Sequence, residues 1–363
     1  MSRQQRPLYQ EGHGNRDLGI NELEIIISIN FLSPVSAILV SRKVKGCGKG
    51  EKNNMLKDCR AGGRFEGPVM ISEWKENPFR QKQGTFVTFT CQDATGSLPA
   101  KLWEPTAEHL NWLEQFDVYD ITASITEYRG NLELSIETMR PLKEQEINLD
   151  LLLPCSPYSH EQLEERLSLL RKKISHKGLM VLLERVLDHP DLGVAYRKAP
   201  AALKIHQAYL RGLWEHSVTV AEIADGISRL YPEINRDLLI TGALLHDIGK
   251  IYEYGYERSI TYTTDGRLLG HIIMGVQLMS RELAEIKDFP NDLRTKLLHI
   301  ITSHHGRYEW QSPRRPKCRE AVMIHYADAL EADMWQFRRA KEDFPEEEWS
   351  PYNRALERYV YLK

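Results

Sequence analysis

The chain has 363 residues, of which 42% are hydrophobic and 27% charged, and its formal net charge is −3. That composition suits about two globular domains with sizeable cores, and it excludes a uniformly basic, nucleic-acid-coating chain. Cys47, Cys59, Cys91, Cys155 and Cys318 are scattered without a CxxC pair. This excludes a disulfide framework and a zinc knuckle, and it fits a reducing cytoplasm.

Residues 1–54 show no clear period. They read either as a poorly ordered extension or as a segment upstream of a true start at Met55. Lys49-Gly50-Glu51 can be encoded as AAGGAG, a bacterial ribosome-binding sequence, with Met55 at a suitable distance. The apolar run Ile25–Val40 is short for a membrane span and is interrupted by Pro34, so no membrane helix is expected.

Residues 55–146 alternate as β-strands over Phe65–Ser72, Thr85–Gln92, Leu98–Trp103, Tyr119–Glu127 and Asn131–Thr138. Gly84, Asp93-Ala94-Thr95-Gly96 and Arg129-Gly130-Asn131 mark turns. A helical stretch, Thr106–Phe116, falls after the third strand. Five strands with a helix in that place is the OB order, with a generic small barrel as the alternative. OB barrels bind single strands on strands two and three and the loop joining strands one and two. Lys75, Arg80 and Lys82 are expected in that loop beside Trp74 and Phe79, with Phe86, Phe89, Lys101 and Trp103 on the strands. Phe86 and Phe89 are three apart, so only one of them faces outward.

Pro154, Ser156 and Pro157 mark a linker, and the chain then turns helical. Glu161–Leu187 carries Leu163, Leu167, Leu170, Ile174, Leu179 and Leu183 at near-helical spacing. The expected division is an extension (1–54), an OB domain (55–146), a linker with a helical segment (147–195), a catalytic domain (196–340) and a C-terminal tail (341–363).

Chemistry concentrates in the helical part. His216 shares a helix face with Val220, Ile223 and Ile227. His246-Asp247 ends a helix bearing Leu238, Leu239 and Leu245. Asp328 lies one turn from Ile324 and Ala332. Each places a polar group where a core is expected, and an unpartnered buried carboxylate or imidazole is costly. Convergence on a divalent cation resolves that cost. Taken singly, a histidine on an apolar face is usually a hydrogen-bonded core residue. The order H…HD…D, the HDIGK ending, and His271, His304 and His305 in between favour a metal site. Arg307, Arg314, Arg315, Lys317 and Arg319 form a basic stretch that reads as a backbone track or as a solvated loop.

The set resembles the HD phosphohydrolase superfamily. Its flanking words resemble the YhaM-type 3′-5′ exoribonucleases over roughly residues 55–340. The words are Ala199-Pro200-Ala201-Ala202, Ala208-Tyr209, Gly212 through His216, Leu245 through Lys250, Gly270-His271-Ile272, Ser303 through Gly306, and His325 through Asp328. Three positions depart from the pattern. His206-Gln207 stands where two histidines are frequent, Gln311 where Gly often precedes Ser-Pro, and Ala329 where Asn often follows the aspartate.

The resemblance implies one cation held by His216, His246, Asp247 and Asp328. It implies a second held by Asp247, His271 and His304, with His305 beside them. The ions expected are Mn²⁺ or Co²⁺ ahead of Mg²⁺ or Fe²⁺. Asp247, Lys250 and His271 are the expected catalytic residues, Lys250 as the phosphate-neutralising group or, more plainly, a solvated lysine. His206, Arg314 and Arg315 are expected near substrate. His325 is expected to support the site or the core. His13, His109, His160, His176, His189 and His299 are read as ordinary.

The expected protein is therefore multidomain α+β, a five-stranded OB barrel followed by an all-α HD domain. It is expected to act as a metal-dependent 3′-5′ exoribonuclease on single-stranded RNA, or single-stranded DNA, giving nucleoside 5′-monophosphates. Two rivals stand beside this. One is an HD phosphohydrolase of free or cyclic nucleotides with a regulatory OB domain. The other is an RNA-binding protein whose HD site is structural.

Overall fold

A computed structural model describes residues 55–363 apart from Arg129, Lys204, Ile205 and Arg258, and the backbone of Lys52–Asn53. The readings of residues 1–54, including the start at Met55 and His13, lie outside the described residues, save that Lys52–Asn53 pairs in parallel with Arg64–Phe65.

Strands β1 (Arg64–Pro78), β2 (Thr85–Asp93), β3 (Gly96–Trp103), β4 (Val118–Tyr128) and β5 (Asn131–Pro141) form a closed barrel. Strand β1 pairs antiparallel with β4 through Arg64–Met70 and with β2 through Met70–Pro78. One strand serves both neighbours because its register shifts between Ser72 and Lys75, where Glu73 takes a φ of 55°. Such a bulge bends a strand and increases its twist. A parallel pairing, Ala100 with Leu134, joins β3 to β5 and closes the ring. The order β1-β2-β3-β5-β4-β1, with α1 (Ala107–Gln115) between β3 and β4, is the OB topology.

Period-two alternation fills the barrel. Val87, Phe89 and Cys91 point inward on β2, and Ile121, Ala123 and Ile125 do so on β4. Helix α1 begins at Thr106, whose hydroxyl accepts from the His109 N–H while His109 Nδ1 accepts from the Thr106 N–H. This capping box holds the helix so that Leu113 joins the barrel core.

The helical part comprises α2 (Leu149–Leu152), α3 (His160–Arg171), α4 (Lys177–Leu187), α5 (Leu192–Lys198), α6 (Gly212–Ser228), α7 (Arg236–Leu245), α8 (Lys250–Glu253), α9 (Thr264–Ala284), α10 (Asn291–Ser303) and α11 (Arg319–Asp343). Helices α3 to α5 share one core with α6, α7, α9, α10 and α11. The periodic run Glu161–Leu187 is two helices, not one. Asp237 Oδ2 accepts from the Ser175 N–H, the Ser175 hydroxyl and the His176 N–H. The His176 ring then caps α4. The bend lets the leucines of α3 and α4 reach the same core.

A second apolar cluster, with Met70, Val118, Leu142, Leu152, Leu153 and Leu210, joins the barrel to the helical part. The C-terminal residues fold back so that Leu356, Val360 and Leu362 cover Ala340 of α11. Among the described residues no helix is long and apolar enough to cross a membrane.

Candidate functional site

Helix α7 carries an unbroken buried run, Leu238–Leu245, and delivers His246 and Asp247 at its end, deep in the helical core. The chain must then turn closely under α9. Gly249 permits this, since a Cβ there would lie 1.9 Å from the His271 carbonyl oxygen. Helix α9 is interrupted at Gly270, whose φ of 71° is costly for any other residue. The break aims both the backbone N–H and Nδ1 of His271 at Glu253 Oε1, each at 3.1 Å. His216 comes from α6, His304 caps the end of α10, and Asp328 lies on α11.

The imidazoles share one orientation. Nδ1 of His246 donates to Ala243 O and that of His304 to Ile301 O, both at 2.8 Å. His305 Nδ1 donates to Trp310 O at 2.7 Å. His216 Nδ1 meets Glu331 Oε2 at 2.8 Å. Carbonyl oxygens and ionised carboxylates only accept, so each Nδ1 carries a proton and each Nε2 is turned toward the centre.

Those Nε2 atoms fall into two groups around Asp247. Its Oδ2 lies 3.5 Å from His216 Nε2 and 3.4 Å from His246 Nε2, and Asp328 Oδ1 lies 3.2 Å from His216 Nε2. Its Oδ1 lies 3.5 Å from His271 Nε2 and 3.3 Å from His304 Nε2, with His305 in the same cluster. Asp247 Oδ1, His271 Nε2 and His304 Nε2 are buried without a hydrogen-bond partner. His216 and His246 face each other Nε2 to Nε2 at 3.3 Å. Converging imidazole and carboxylate donors at this depth, three of them without a hydrogen-bond partner, suit divalent metal binding.

The charges agree. Asp247, Glu253 and Glu331 are buried, Asp328 is nearly so, and Lys250 lies 2.5 Å from Asp247 Oδ2. Burial opposes ionisation of Asp247, yet Lys250 and His246 outweigh it and hold the carboxyl well below the usual range. Burial likewise opposes a charged His216, but Asp328 and Glu331 outweigh it and push its pKa up to about 10. That proton marks a point where the surrounding carboxylates stabilise positive charge, as they would that of a divalent cation. Burial, reinforced by His305, lowers His304 to about 3, keeping it a neutral donor.

Lys250 is thus buried against Asp247 and is not a solvated lysine. His206 lies at the edge, its Nε2 3.4 Å from Glu331 Oε2. His325 donates from Nδ1 to the His304 carbonyl at 2.8 Å. The remaining described histidines brace the fold. His109 and His176 cap helices, and His299 accepts from the Lys317 N–H. Ile227, read as a core position, is 39% exposed.

Sequence reasoning missed two carboxylates, Glu253 and Glu331. Glu331 holds His216 on one oxygen and accepts from buried Gln207 Nε2 on the other at 3.1 Å. Its spacing three residues after Asp328 was the available signal, since i and i+3 share a helix face.

On the barrel, Phe79, Phe86 and Trp103 cluster outside with ring centroids 5.4–6.0 Å apart, while Phe89 is in the core. Trp74 and Lys75 belong to strand β1, not to the following loop, because β1 runs on past its bulge to Pro78. Arg80 and Lys82 are in the loop as expected. Lys82 pairs with Glu104 at 2.6 Å and Lys101 with Glu133 at 2.7 Å, so part of this face's positive charge is already offset.

Barrel topology and an HD-type cluster together define an enzyme of the HD phosphohydrolase class with an OB domain in front. The HD domain family model matches residues 213–333. A 3′-5′ exoribonuclease YhaM of Bacillus subtilis is 31% identical over 280 residues, covering 77% of this chain and 88% of that protein. That of Oceanobacillus iheyensis is 32% identical over 307 residues, covering 83% and 94%. The chain belongs to the YhaM 3′-5′ exoribonuclease family. Similar solved structures include the HD domain of the Listeria monocytogenes phosphodiesterase PgpH (18% identity, 44% of this chain and 74% of that one, TM-score 0.25). Another is the second OB-fold domain of replication protein A from Methanococcus maripaludis (14% identity, 26% and 97%, TM-score 0.21).

Proposed function

We propose that this protein is a metal-dependent 3′-5′ exoribonuclease that hydrolyses single-stranded RNA, and single-stranded DNA as a lesser substrate, to nucleoside 5′-monophosphates in the cytoplasm. One observation carries the reading: the two oxygens of Asp247 face two separate groups of inward Nε2 atoms. His216, His246, Asp247 and Asp328 would hold one divalent ion, and Asp247, His271, His304 and His305 a second. The mixed imidazole and carboxylate donors suit Mn²⁺ or Co²⁺, with Mg²⁺ or Fe²⁺ as alternatives. Such ions supply Lewis acidity and an activated water for phosphodiester hydrolysis.

The chain's own part is orientation and charge. Backbone carbonyls, Glu253 and Glu331 fix the tautomers. Lys250 is the buried cation placed to offset phosphate charge. Residues 55–146 serve as the nucleic-acid-binding domain through Phe79, Arg80, Lys82, Phe86, Lys101 and Trp103, with Trp74 and Lys75 on the adjoining strand. Residues 147–195 join the barrel to the catalytic domain (196–340) as a linker and a helical segment, with α3 to α5 packed into the catalytic core, and 341–363 form the tail.

The test is purified protein with Mn²⁺ and 5′-labelled single-stranded RNA. Products should shorten stepwise from the 3′ end, chelation should stop the reaction, and Asp247→Asn should remove both metal content and turnover. Immediate release of a labelled mononucleotide, or cleavage of circular RNA, would overturn the polarity or the exonuclease assignment. Hydrolysis of free or cyclic nucleotides without RNA shortening would favour the rival phosphohydrolase.

A further inference from the structure

We infer that the segment between α10 and α11, with the exposed face at the start of α11, is a stacking track for the unpaired strand next to its 3′ end. The inference rests on the exoribonuclease reading and adds to it a binding surface separate from the barrel. Tyr308, Trp310 and Tyr326 are 56%, 48% and 67% exposed, unusual for three large aromatics so close together. Arginines interleave with them. The Arg307 guanidinium lies 4.7 Å from the Trp310 ring centroid and that of Arg315 lies 5.2 Å from Tyr308. Arg307, Arg315, His325 and Tyr326 line one groove of about 530 Å³. Exposed rings among cations, in a chain of net charge −3, match the flat bases and charged backbone of a single strand.

The groove connects to the metal cluster. The Trp310 carbonyl accepts from His305 Nδ1, and His325 donates to the His304 carbonyl. The His325 ring lies 6.0 Å from Trp310 and 5.0 Å from Tyr326, so the rings form a row beside His304 and His305. The loop is held in place before any strand arrives. Ser312 N–H donates to Arg307 O, Arg314 N–H to Thr302 O, and the Ser312 hydroxyl to Arg314 O. A strand bound here is directed to the second donor group, whatever its contacts with the barrel.

The test is fluorescence anisotropy with a short, hydrolysis-resistant phosphorothioate oligoribonucleotide and the full-length, Mn²⁺-loaded protein. Trp310→Ala with Tyr326→Ala should raise Kd by about 5- to 150-fold for each base–aromatic stack lost. Trp310→Phe should bind almost as the parent does. Arg307→Gln and Arg315→Gln, both exposed, should each lower the slope of log Kd against log salt by about 0.7. These two carry the test should the aromatic double variant fail to fold. Unchanged Kd and salt slope would overturn the track. So would a fall in sedimentation mass in the aromatic variants, because the rings would then be a contact between copies of the chain. Binding that depends on the track in a protein that shortens no RNA would leave the track standing and remove the exoribonuclease reading.

Discussion

Gly249→Ala is the sharpest probe of how the histidine–aspartate cluster is assembled. A Cβ at this position would lie 1.9 Å from His271 O and 2.6 Å from Gly275 N, both backbone atoms of α9. Neither can rotate away. Restoring an ordinary contact requires the turn and α9 to part by about 1.5 Å. Overpacking of a tight contact costs about 1–3 kcal/mol, so the unfolding midpoint should fall by roughly 2–12 °C at ~2–4 °C per kcal/mol for a domain of this size. The displacement also carries His271 away from Asp247 Oδ1, 3.5 Å from its Nε2. Stabilisation by added Mn²⁺ should therefore shrink in the variant, along with RNA turnover. Thermal unfolding by circular dichroism, with and without Mn²⁺, reads both effects. A variant with the parent's midpoint and the parent's Mn²⁺ response would refute the argument that close approach at Gly249 sets the His271 position.

Three further outcomes are expected. Glu331→Ala strips the partner from His216 Nδ1 and from Gln207, and loss of such an outer partner should weaken Mn²⁺ affinity by about 10- to 100-fold, measured by calorimetric titration. Trp103→Ala removes the most exposed ring of the barrel's aromatic cluster, and should raise KM for a long single-stranded RNA by about fivefold or more. Gln311→Gly places glycine where the present residue has a φ of 63°, and should raise stability by about 0.5–1 kcal/mol in urea unfolding. Point variants are the sound way to separate barrel from cluster. Deleting the barrel would bare Leu152, Leu153 and Leu210, which pack against Met70 and Val118.

Local pattern determined a great deal of this protein. Strand alternation placed all five barrel strands, because a pleated strand with one buried face must repeat every two residues. The helix after the third strand followed from its flanking turns. The metal-ligand candidates were legible because His216, His246-Asp247 and Asp328 put polar groups on apolar faces, an anomaly visible from i±3 and i±4 spacing alone. Periodicity failed where a long-range contact intervened. Asp237, about sixty residues away in sequence, ends the helix run at Ser175 and His176, and a bulge carries β1 through Trp74 and Lys75.

Only the tertiary structure supplied the physical reason for the division of the ligand candidates that the resemblance implied. That Asp247 turns one oxygen to each group depends on α6, α9, α10 and α11 meeting around the end of α7. Glu253 and Glu331 escaped the sequence reading for the same reason. Glu331 is separated from its histidine by 115 positions and Glu253 from its own by 18. A glutamate on a helix is ordinarily a solvated residue. It becomes a buried hydrogen-bond acceptor only when packing brings an imidazole N–H to it and excludes the water that would otherwise solvate both.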